Sequence, residues 1–327
     1  MSSSSIITGL GKKVPDNVMT NKDLEEIVDT TDEWITQRTG IKERRIADED
    51  TSSSDLAYEA SLEALEEADL SPEDLEMIIL ATATPDMLFP ATACLLQERL
   101  GADNAGAFDL EAGCSGFVYG LGVADQFIRA GNYENILVVG AETLSKLVDW
   151  DDRSTCVLFG DGAGAAVVQP SSEAGILSTV MGSDGSGGDS LCVPAGGSLH
   201  PASQKTVENK LHYIKMEGNQ VFKFAVKKMG AASVEVLDKA GYTPADVDFF
   251  VPHQANTRII DAAAKRLDLD MDSVIVNLPL YGNTSSASVP IALKEAVEEN
   301  RIKPGDLIVL VAFGAGLTWA SAAVRWK

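Results

Sequence analysis

Apolar residues recur along this chain in two patterns, a helical spacing and short continuous runs. Apolar side chains at positions 117, 121, 124 and 128 have the spacing of one face of a helix. The preceding run, residues 105–110, is typical of a short buried strand. Helices that alternate with short apolar strands indicate an α/β protein with buried sheets.

The same succession of elements is predicted twice. Residues 61–80 and residues 233–251 each indicate an amphipathic helix, a Ser/Thr-Pro turn and an apolar strand. Pro72 matches Pro244 at an offset of 172 residues (244 − 72). This repeat predicts a duplicated architecture.

A second pair of segments supports the duplication. Residues 132–142 and residues 303–314 both consist of a polar turn that leads into an apolar strand. The repeat predicts two similar halves that meet near residue 172, namely residues 1–172 and residues 173–327.

Composition limits the classes of protein that fit. The 327 residues include 26 lysines and arginines against 49 aspartates and glutamates, a formal charge of −23. Such a surface repels nucleic acids and anionic membranes. The longest uncharged stretch, residues 307–324, is broken by Gly314 and Gly316, which predicts two strands joined by a turn rather than a membrane span.

The four cysteines show no CxxC pairing and the chain begins without an apolar leader, which predicts a reduced protein of the cytoplasm. Cys114 lies between Gly113 and Gly116, where a predicted strand passes into a helix. A helix N-terminus favours an anion and lowers the pKa of a thiol. The sequence therefore predicts a nucleophile at Cys114, with an inert packing cysteine as the alternative.

Two residues of the second half are candidates to act with Cys114. His253 directly follows an apolar strand, and alignment of Gly113 with Gly282 places Asn283 opposite Cys114 at an offset of 169 (283 − 114). A cysteine, a histidine and an asparagine at strand ends form a plausible catalytic constellation. A hydrogen-bonded structural histidine and a turn-forming asparagine are the alternatives.

Seven segments in the same order make the chain similar to the β-ketoacyl-acyl carrier protein synthase III family. They are TDEWITQRTGIKERR (31–45), FPATACLLQERLG (89–101), AGCSGF (112–117), GDGAGAAVV (160–168), PHQANTRII (252–260), YGNTSSAS (281–288) and FGAGLTW (313–319). The resemblance implies a duplicated thiolase-like fold with five α-β-α-β-α layers, usually as a homodimer. It also implies that Cys114, His253 and Asn283 form a Cys-His-Asn triad.

The activity implied by this resemblance is a decarboxylative condensation that initiates type II fatty acid synthesis. An acyl-CoA primer acylates Cys114, and malonyl-acyl carrier protein then loses CO2 and attacks the thioester to give a 3-oxoacyl product. Backbone N–H groups of Cys114 and Ala315 are the implied oxyanion donors, whereas His253 and Asn283 donate to the enolate oxygen. Acyl-CoA is a substrate, and neither a permanently bound cofactor nor a metal is implied.

The resemblance also implies binding residues. Trp34 and Arg153 resemble a pair that sandwiches the adenine of CoA, since an indole and a guanidinium both offer planar faces, and Arg38 resembles a phosphate contact. Phe89 resembles a residue of the acyl pocket near the dimer interface. Core packing for Trp34 and Phe89, and solvent exposure for the arginines, are the alternatives.

A basic patch is predicted on two helices of this acidic chain. Arg258 and Lys265 are seven residues apart and share a helix face with Arg266 beside them, while Lys223 and Lys227 have i, i+4 spacing. An ordinary solvated helix face is the alternative. Because the positive charges follow directly on the segment of His253, the sequence favours a docking patch for the acidic carrier protein.

Three other functions fit parts of this pattern. Cys, His and Asn occur in the same chain order in papain-like cysteine hydrolases, but those lack the duplicated α/β pattern. A non-catalytic scaffold would require loss of a triad residue, and none is lost. The nearest alternative is a synthase III-like enzyme that primes polyketide or other secondary-metabolite chains. The preferred primer depends on pocket depth, which the sequence does not reveal.

Overall fold

The computed structural model describes residues 4–173 and 175–327. Thirteen β-strands lie in these residues: β1 Ser4–Lys13, β2 Val18–Thr20, β3 Glu43–Arg45, β4 Met77–Ala81, β5 Gly106–Leu110, β6 Ile136–Glu142, β7 Gly162–Ser171, β8 Ile176–Ser183, β9 Leu191–Cys192, β10 Lys215–Met216, β11 Phe249–Pro252, β12 Leu307–Gly314 and β13 Thr318–Arg325.

The same described ranges contain ten α-helices. They are α1 Asn21–Glu25, α2 Asp32–Thr39, α3 Ser53–Glu67, α4 Thr92–Leu100, α5 Gly116–Arg129, α6 Gln204–Glu208, α7 Gly218–Ala240, α8 Thr257–Arg266, α9 Leu278–Tyr281 and α10 Ser288–Glu298. Within the described part of the chain, no helix is long and apolar enough to cross a membrane.

Two sheets have the same strand order. The first runs β1-β7-β6-β4-β5 and the second runs β8-β13-β12-β11. In both, the first two pairings are antiparallel and the pairing of β6 with β4, or of β12 with β11, is parallel. The counterpart of β5 is reduced to a single parallel bridge between Phe250 and Val274. The predicted repeat of elements is confirmed, whereas the boundary at residue 172 stays a prediction.

The elements form five layers because alternate residues of each buried strand face opposite sides. In β6, Val138 packs with α5, whereas Val139 packs with α3 and α4. Helices α5 and α10 contact both sheets, and α7 and α8 cover the other face of the second sheet. The predicted α-β-α-β-α arrangement is therefore confirmed.

One strand differs from its prediction. The run at residues 105–110 forms β5, but its residues are half-buried or exposed instead of buried. The physical reason is its position, since β5 is the edge strand of the first sheet and pairs only with β4. The predicted strand, turn and strand at residues 307–324 are confirmed as β12, a turn at Ala315–Leu317 and β13.

Candidate active site

The segment that carries Cys114 folds as the sequence predicts. Strand β5 ends at Leu110, a 3-10 turn spans Gly113–Ser115 and α5 begins at Gly116. Gly113 has a φ of 53°, a left-handed conformation that favours glycine. Cys114 therefore lies on a tight turn between a strand and a helix.

Two glycines bring this turn against the turn that follows β12. A Cβ on Gly113 would lie 2.6 Å from the backbone nitrogen of Ala315, and a Cβ on Gly314 would lie 2.4 Å from that of Cys114. Any side chain at either position would force the two segments apart. The backbone N–H groups of Cys114 and Ala315, the two predicted oxyanion donors, thus belong to adjoining segments.

Hydroxyl groups hold the two turns together. The Ser115 hydroxyl lies 2.7 Å from the carbonyl oxygen of Ala112 and 2.8 Å from the hydroxyl oxygen of Thr318. The Thr318 hydroxyl donates to the Ala112 carbonyl at 2.7 Å. The left-handed conformation after β12 is adopted by Gly316, with φ 72°, and not by Ala315, so the methyl group of Ala315 causes no backbone strain.

The Cys114 thiol is buried, with 8% of the residue exposed. Burial raises the pKa of Cys114 to about 12, and a hydrogen bond with the Ser285 side chain opposes this rise. The lowered thiol pKa expected from the sequence is therefore wrong. Removing the thiolate from water outweighs the field of the α5 N-terminus.

An apolar cavity of about 630 Å³ is lined by Cys114, Ser285 and Ala315. Most of its remaining wall is hydrophobic, including Leu88, Leu144, Leu147, Phe159, Leu191 and Ile214. An alkyl chain attached to the thiol would find apolar contacts here, in a volume typical of small-molecule sites.

His253 follows β11 and is almost completely buried, with 1% exposed. Its backbone N–H donates to Val311 of β12 at 2.7 Å, and its ring packs edge-on against Phe313 at 5.3 Å between centroids. Nδ1 lies 2.6 Å from the Ser288 hydroxyl, whereas Nε2 is buried without a hydrogen-bonding partner in the described residues. Burial lowers the pKa of His253 to about 3, so the ring is neutral.

Asn283 lies just before the turn Ser285–Ala287 and is 8% exposed. Its backbone is fixed by Leu158, whose carbonyl accepts from the Asn283 N–H at 2.8 Å. Its side-chain oxygen accepts from the Ser285 N–H at 2.9 Å. In this orientation the amide nitrogen, which has two hydrogens to donate, is turned away from that bond.

The structure shifts the predicted correspondence between the halves by three residues. Helices α5 and α10 begin at Gly116 and Ser288, which are 172 residues apart (288 − 116). Gly113, with φ 53°, therefore corresponds to Ser285, with φ 49°, and Cys114 corresponds to Ser286. Alignment of Cys114 with Asn283 is wrong because Gly282, although its φ is 64°, lies at the end of α9, and Ser285 begins the turn that leads into α10.

Glu142 connects the second turn to the first sheet and was not identified from the sequence. This fully buried carboxylate at the end of β6 accepts from the Thr84 hydroxyl at 2.7 Å, the Ser286 hydroxyl at 2.9 Å and the Ala83 N–H at 3.1 Å. Burial raises the pKa of Glu142, and these hydrogen bonds oppose the rise. The only signal in the sequence was a glutamate at the end of an apolar strand.

Two sequence models of known protein families match this chain. The family described as 3-oxoacyl-[acyl-carrier-protein (ACP)] synthase III matches residues 108–185, and the family described as its C terminal matches residues 237–326. The β-ketoacyl-[acyl-carrier-protein] synthase III of Caldanaerobacter subterraneus subsp. tengcongensis is 62% identical over 322 residues, 98% of this chain and 97% of that protein. The chain belongs to the β-ketoacyl-acyl carrier protein synthase III family.

Solved structures of synthase III proteins agree with this assignment. The Aquifex aeolicus enzyme is 52% identical, with a TM-score of 0.91 over 98% of this chain and 100% of that one. The priming β-ketosynthase of the R1128 polyketide pathway is 38% identical, with a TM-score of 0.93 over 100% of this chain and 97% of that one. The chain is thus an acyl-transferring condensing enzyme with a thiolase-like fold, and the cysteine hydrolase alternative is wrong.

Three predicted CoA-binding residues of this synthase III protein lie together. The guanidinium carbon of Arg153 is 5.2 Å from the centre of the Trp34 ring, and that of Arg38 is 5.5 Å from it. Both arginines are exposed and Trp34 is half-buried, so this indole is not a core residue. Trp34 packs in the same hydrophobic cluster as Leu144 and Leu147, which line the cavity.

Phe89 does not line the cavity of its own chain. It is 84% exposed, and the neighbouring Leu88, which does line the cavity, is 76% exposed. The core-packing alternative for Phe89 is therefore wrong. Its predicted place near a dimer interface stays a prediction.

The predicted basic residues lie on α7 and α8, which pack together. Arg258 lies over the Phe222 ring at 5.1 Å, and Lys223, Lys265 and Arg266 are exposed. None of these four charges forms an ion pair within the part of the chain that the structure describes. In residues 4–173 and 175–327, no cluster of three or more potential metal ligands occurs.

Proposed function

We propose that this enzyme condenses an acyl-CoA primer with malonyl-acyl carrier protein, releasing CoA and CO2 and forming 3-oxoacyl-acyl carrier protein. This reaction initiates type II fatty acid synthesis in the cytoplasm, with acyl-CoA as a substrate and with neither a permanently bound cofactor nor a metal. The observation that carries the proposal is a buried neutral histidine whose Nε2 has no partner in the described residues. This histidine directly follows β11, which pairs with β12, and β12 ends against the turn of Cys114.

Cys114 is the proposed nucleophile. Its sulfur attacks the thioester carbonyl of acyl-CoA, a new thioester forms and CoA leaves with the thiol proton. The N–H groups of Cys114 and Ala315 lie on adjoining turns and are suited to stabilise the oxyanion of this step. The apolar cavity beside the thiol accommodates the acyl chain.

His253 and Asn283 are the proposed donors to the malonyl group. Loss of CO2 leaves an enolate whose oxygen needs hydrogen-bond donors before it attacks the acylated Cys114. The neutral His253 ring has one unpartnered nitrogen, and the Asn283 side chain is oriented through its oxygen, which leaves the amide nitrogen as donor. Two neutral donors stabilise the enolate without protonating it early.

Trp34, Arg153 and Arg38 are the proposed contacts of CoA. The Arg153 guanidinium is 5.2 Å from the centre of the indole ring, so it would move outward for a planar base to stack between the two groups. Arg38 adds a second positive charge near the same ring, suited to phosphate. The shared hydrophobic cluster continues from Trp34 to the wall of the cavity.

Carrier-protein docking is proposed on the basic patch formed by Lys223, Arg258, Lys265 and Arg266. These exposed charges lie on α7 and α8, and α8 follows directly on the segment of His253. A local positive surface on a chain of net charge −23 would attract an acidic partner to that surface.

A homodimer is proposed through the region of Phe89. Leu88 and Phe89 are large, apolar and strongly exposed, and β5 is an edge strand of the first sheet. A second copy of the chain would cover both features. Phe89 would then contribute to the acyl pocket of the partner instead of its own.

Priming of polyketide chains is the second candidate function, supported by the likeness to the R1128 priming ketosynthase.

The proposed function is tested by exposing the enzyme to a panel of acyl-CoAs. Mass spectrometry identifies the acyl group on Cys114, and malonyl-acyl carrier protein is then added. Transfer of a short acyl group to Cys114 and release of a 3-oxoacyl-carrier protein support the proposed function. Absence of any acylated Cys114 with every acyl-CoA contradicts it.

A further inference from the structure

The hydrogen bond between His253 and Ser288 has no part in the roles proposed above. Ser288, the first residue of α10, is 2% exposed, and its hydroxyl lies 2.6 Å from Nδ1 of His253. The opposite ring nitrogen, Nε2, has no partner in the described chain. One nitrogen is therefore occupied by the protein and the other is left for a ligand.

The donors and acceptors around the Ser288 hydroxyl decide which nitrogen of the His253 ring carries the hydrogen. The backbone N–H of Gln254 lies 3.5 Å from the Ser288 oxygen and is able only to donate. In the described residues, His253 Nδ1 is the remaining partner of this hydroxyl. A hydrogen on Nδ1 would leave the hydroxyl hydrogen of Ser288 unpaired inside the protein, which is unfavourable.

The alternative satisfies Ser288 and Nδ1, and in the described residues it leaves only Nε2 without a partner. If the His253 hydrogen is on Nε2, the Ser288 hydroxyl accepts from Gln254 and donates to Nδ1. Nε2 then carries the single ring hydrogen and is a donor. This is the form that a negatively charged enolate oxygen requires.

Gln254 fixes the backbone that takes part in this arrangement. Its side-chain nitrogen donates to Pro252 at 2.7 Å and to Ile275 at 3.1 Å, and its side-chain oxygen accepts from the N–H groups of Asn277 and Leu278, each at 3.1 Å. These four partners are buried and belong to two segments, the end of β11 and residues 275–278. The N–H that faces the hydroxyl is therefore held in place from both sides.

We propose that Ser288 is a positioning residue that holds neutral His253 in the tautomer with its hydrogen on Nε2, so that Nε2 donates to the malonyl thioester oxygen. The inference rests on the proposed role of His253 in decarboxylation. Since burial lowers the pKa of His253 to about 3, the ring is uncharged and the choice between its two tautomers decides whether it donates.

The kinetic test compares Ser288→Ala, Ser288→Thr and Ser61→Ala. Ser61 is an equally buried helical serine whose hydroxyl donates to Ala57 at 2.6 Å, far from this site in the chain, and its variant is the matched control. Ser288→Ala should release CO2 from malonyl-acyl carrier protein about 10- to 100-fold more slowly, with acylation of Cys114 within about twofold of the native rate. Ser288→Thr, which keeps the hydroxyl, should restore most of the loss.

A spectroscopic test reports the tautomer directly. The protein is labelled with ¹⁵N in the histidine rings, and the spectrum of His253→Gln identifies the two signals of His253. In the native enzyme Nε2 should carry the hydrogen, and Ser288→Ala should shift these signals towards a mixture of tautomers. A purely structural role of Ser288 would not move them.

Failure of the proposed role of His253 can be distinguished from failure of the inference on Ser288. If His253→Ala releases CO2 at the native rate, the proposed function of His253 is wrong, whatever Ser288 does. If His253→Ala loses CO2 release but Ser288→Ala keeps both the native tautomer and the native rate, only the inference on Ser288 is overturned. Equal losses of acylation, stability and CO2 release in Ser288→Ala also overturn it.

Discussion

Two turns at the centre of the molecule share a backbone geometry and differ in what they carry. The turn Gly113–Ser115 leads into α5 and the turn Ser285–Ala287 leads into α10, each with a left-handed first residue. Cys114 of the first turn lines the apolar cavity, whereas its counterpart Ser286 lies 2.9 Å from both Ala81 and Glu142. The same local fold therefore supports a thiol in one half and a buried structural contact in the other.

The proposed function assigns different chemical tasks to the two halves of this duplicated fold. The proposed nucleophile of the first half, Cys114, lies in the turn itself. The proposed donors of the second half lie around its turn, at Asn283 before it and at His253 directly after β11, while Ser286 connects to the first sheet. Acylation and decarboxylation should therefore respond separately to substitution.

The largest expected effect is in the first turn. Cys114→Ala should abolish both labelling of the protein by radioactive acyl-CoA and overall condensation, because it removes the proposed nucleophile. A variant with Cys94, Cys156 and Cys192 replaced by alanine is the control and should still be labelled at Cys114. Acyl labelling of a protein without any of the four cysteines would refute the assignment.

The matching substitution in the second turn should act on stability alone. Ser286→Ala removes a hydroxyl beside the buried Glu142 and should lower the free energy of unfolding by about 1–3 kcal/mol. Urea unfolding measures this loss, and single-turnover acylation of Cys114 should stay near the native rate. A complete loss of acylation in this folded variant would contradict the contrast between the turns.

Much of this arrangement could be predicted from the sequence because it depends on local pattern. The offset of 172 between Pro72 and Pro244 marks two copies of one succession of elements, and the copies form sheets with the same strand order. Cys114 and His253 are recognisable from the sequence because each follows a run of apolar residues that predicts a strand.

The rest depends on contacts between segments distant in sequence. Ser288 lies beside His253 only because α10 packs near the end of β11, and Glu142 accepts from Ser286 across 144 residues. The predicted alignment of Gly113 with Gly282 is wrong because the true counterpart of Gly113 is the left-handed Ser285, and sequence patterns associate that conformation with glycine. The raised pKa of Cys114 arises from burial, which local sequence does not reveal.

The neutral state of His253 predicts a pH dependence of stability. Burial lowers its pKa to about 3 in the folded chain, against 6.5 for an ordinary histidine. The folded state thus binds fewer protons, so the stabilisation present above pH 6.5 is lost as the pH falls towards 3. Between pH 7 and pH 5 the native enzyme should lose about 2 kcal/mol more than His253→Gln.

Urea unfolding of both proteins at the two pH values checks this prediction. His200→Gln, the substitution of an exposed histidine, is the control. An identical pH dependence in the native enzyme and in His253→Gln would contradict the lowered pKa, because the ring would then bind protons equally well in the folded and unfolded chains.

The smallest effect concerns the basic patch of the second half. Replacement of Arg258 and Lys265 by glutamate should slow the reaction with malonyl-acyl carrier protein roughly tenfold at low salt, while acylation by acyl-CoA changes little. The loss should shrink as salt rises, because exposed charges are screened beyond about 8 Å at physiological ionic strength. Lys239→Glu, elsewhere on α7, is the control. Equal losses in both half-reactions at every salt concentration would argue against a docking role.

The separation of acylation from decarboxylation is tested most directly by single-turnover experiments on His253→Ala, Asn283→Ala and the double variant. Radiolabelled acyl transfer to Cys114 should remain measurable in each, whereas CO2 release from malonyl-acyl carrier protein should fall about 10²- to 10³-fold in each single variant. The double variant should lose less than the product of the single losses, because both donors act on one oxygen. A variant that releases CO2 at the native rate but no longer accepts the acyl group would contradict this division of roles.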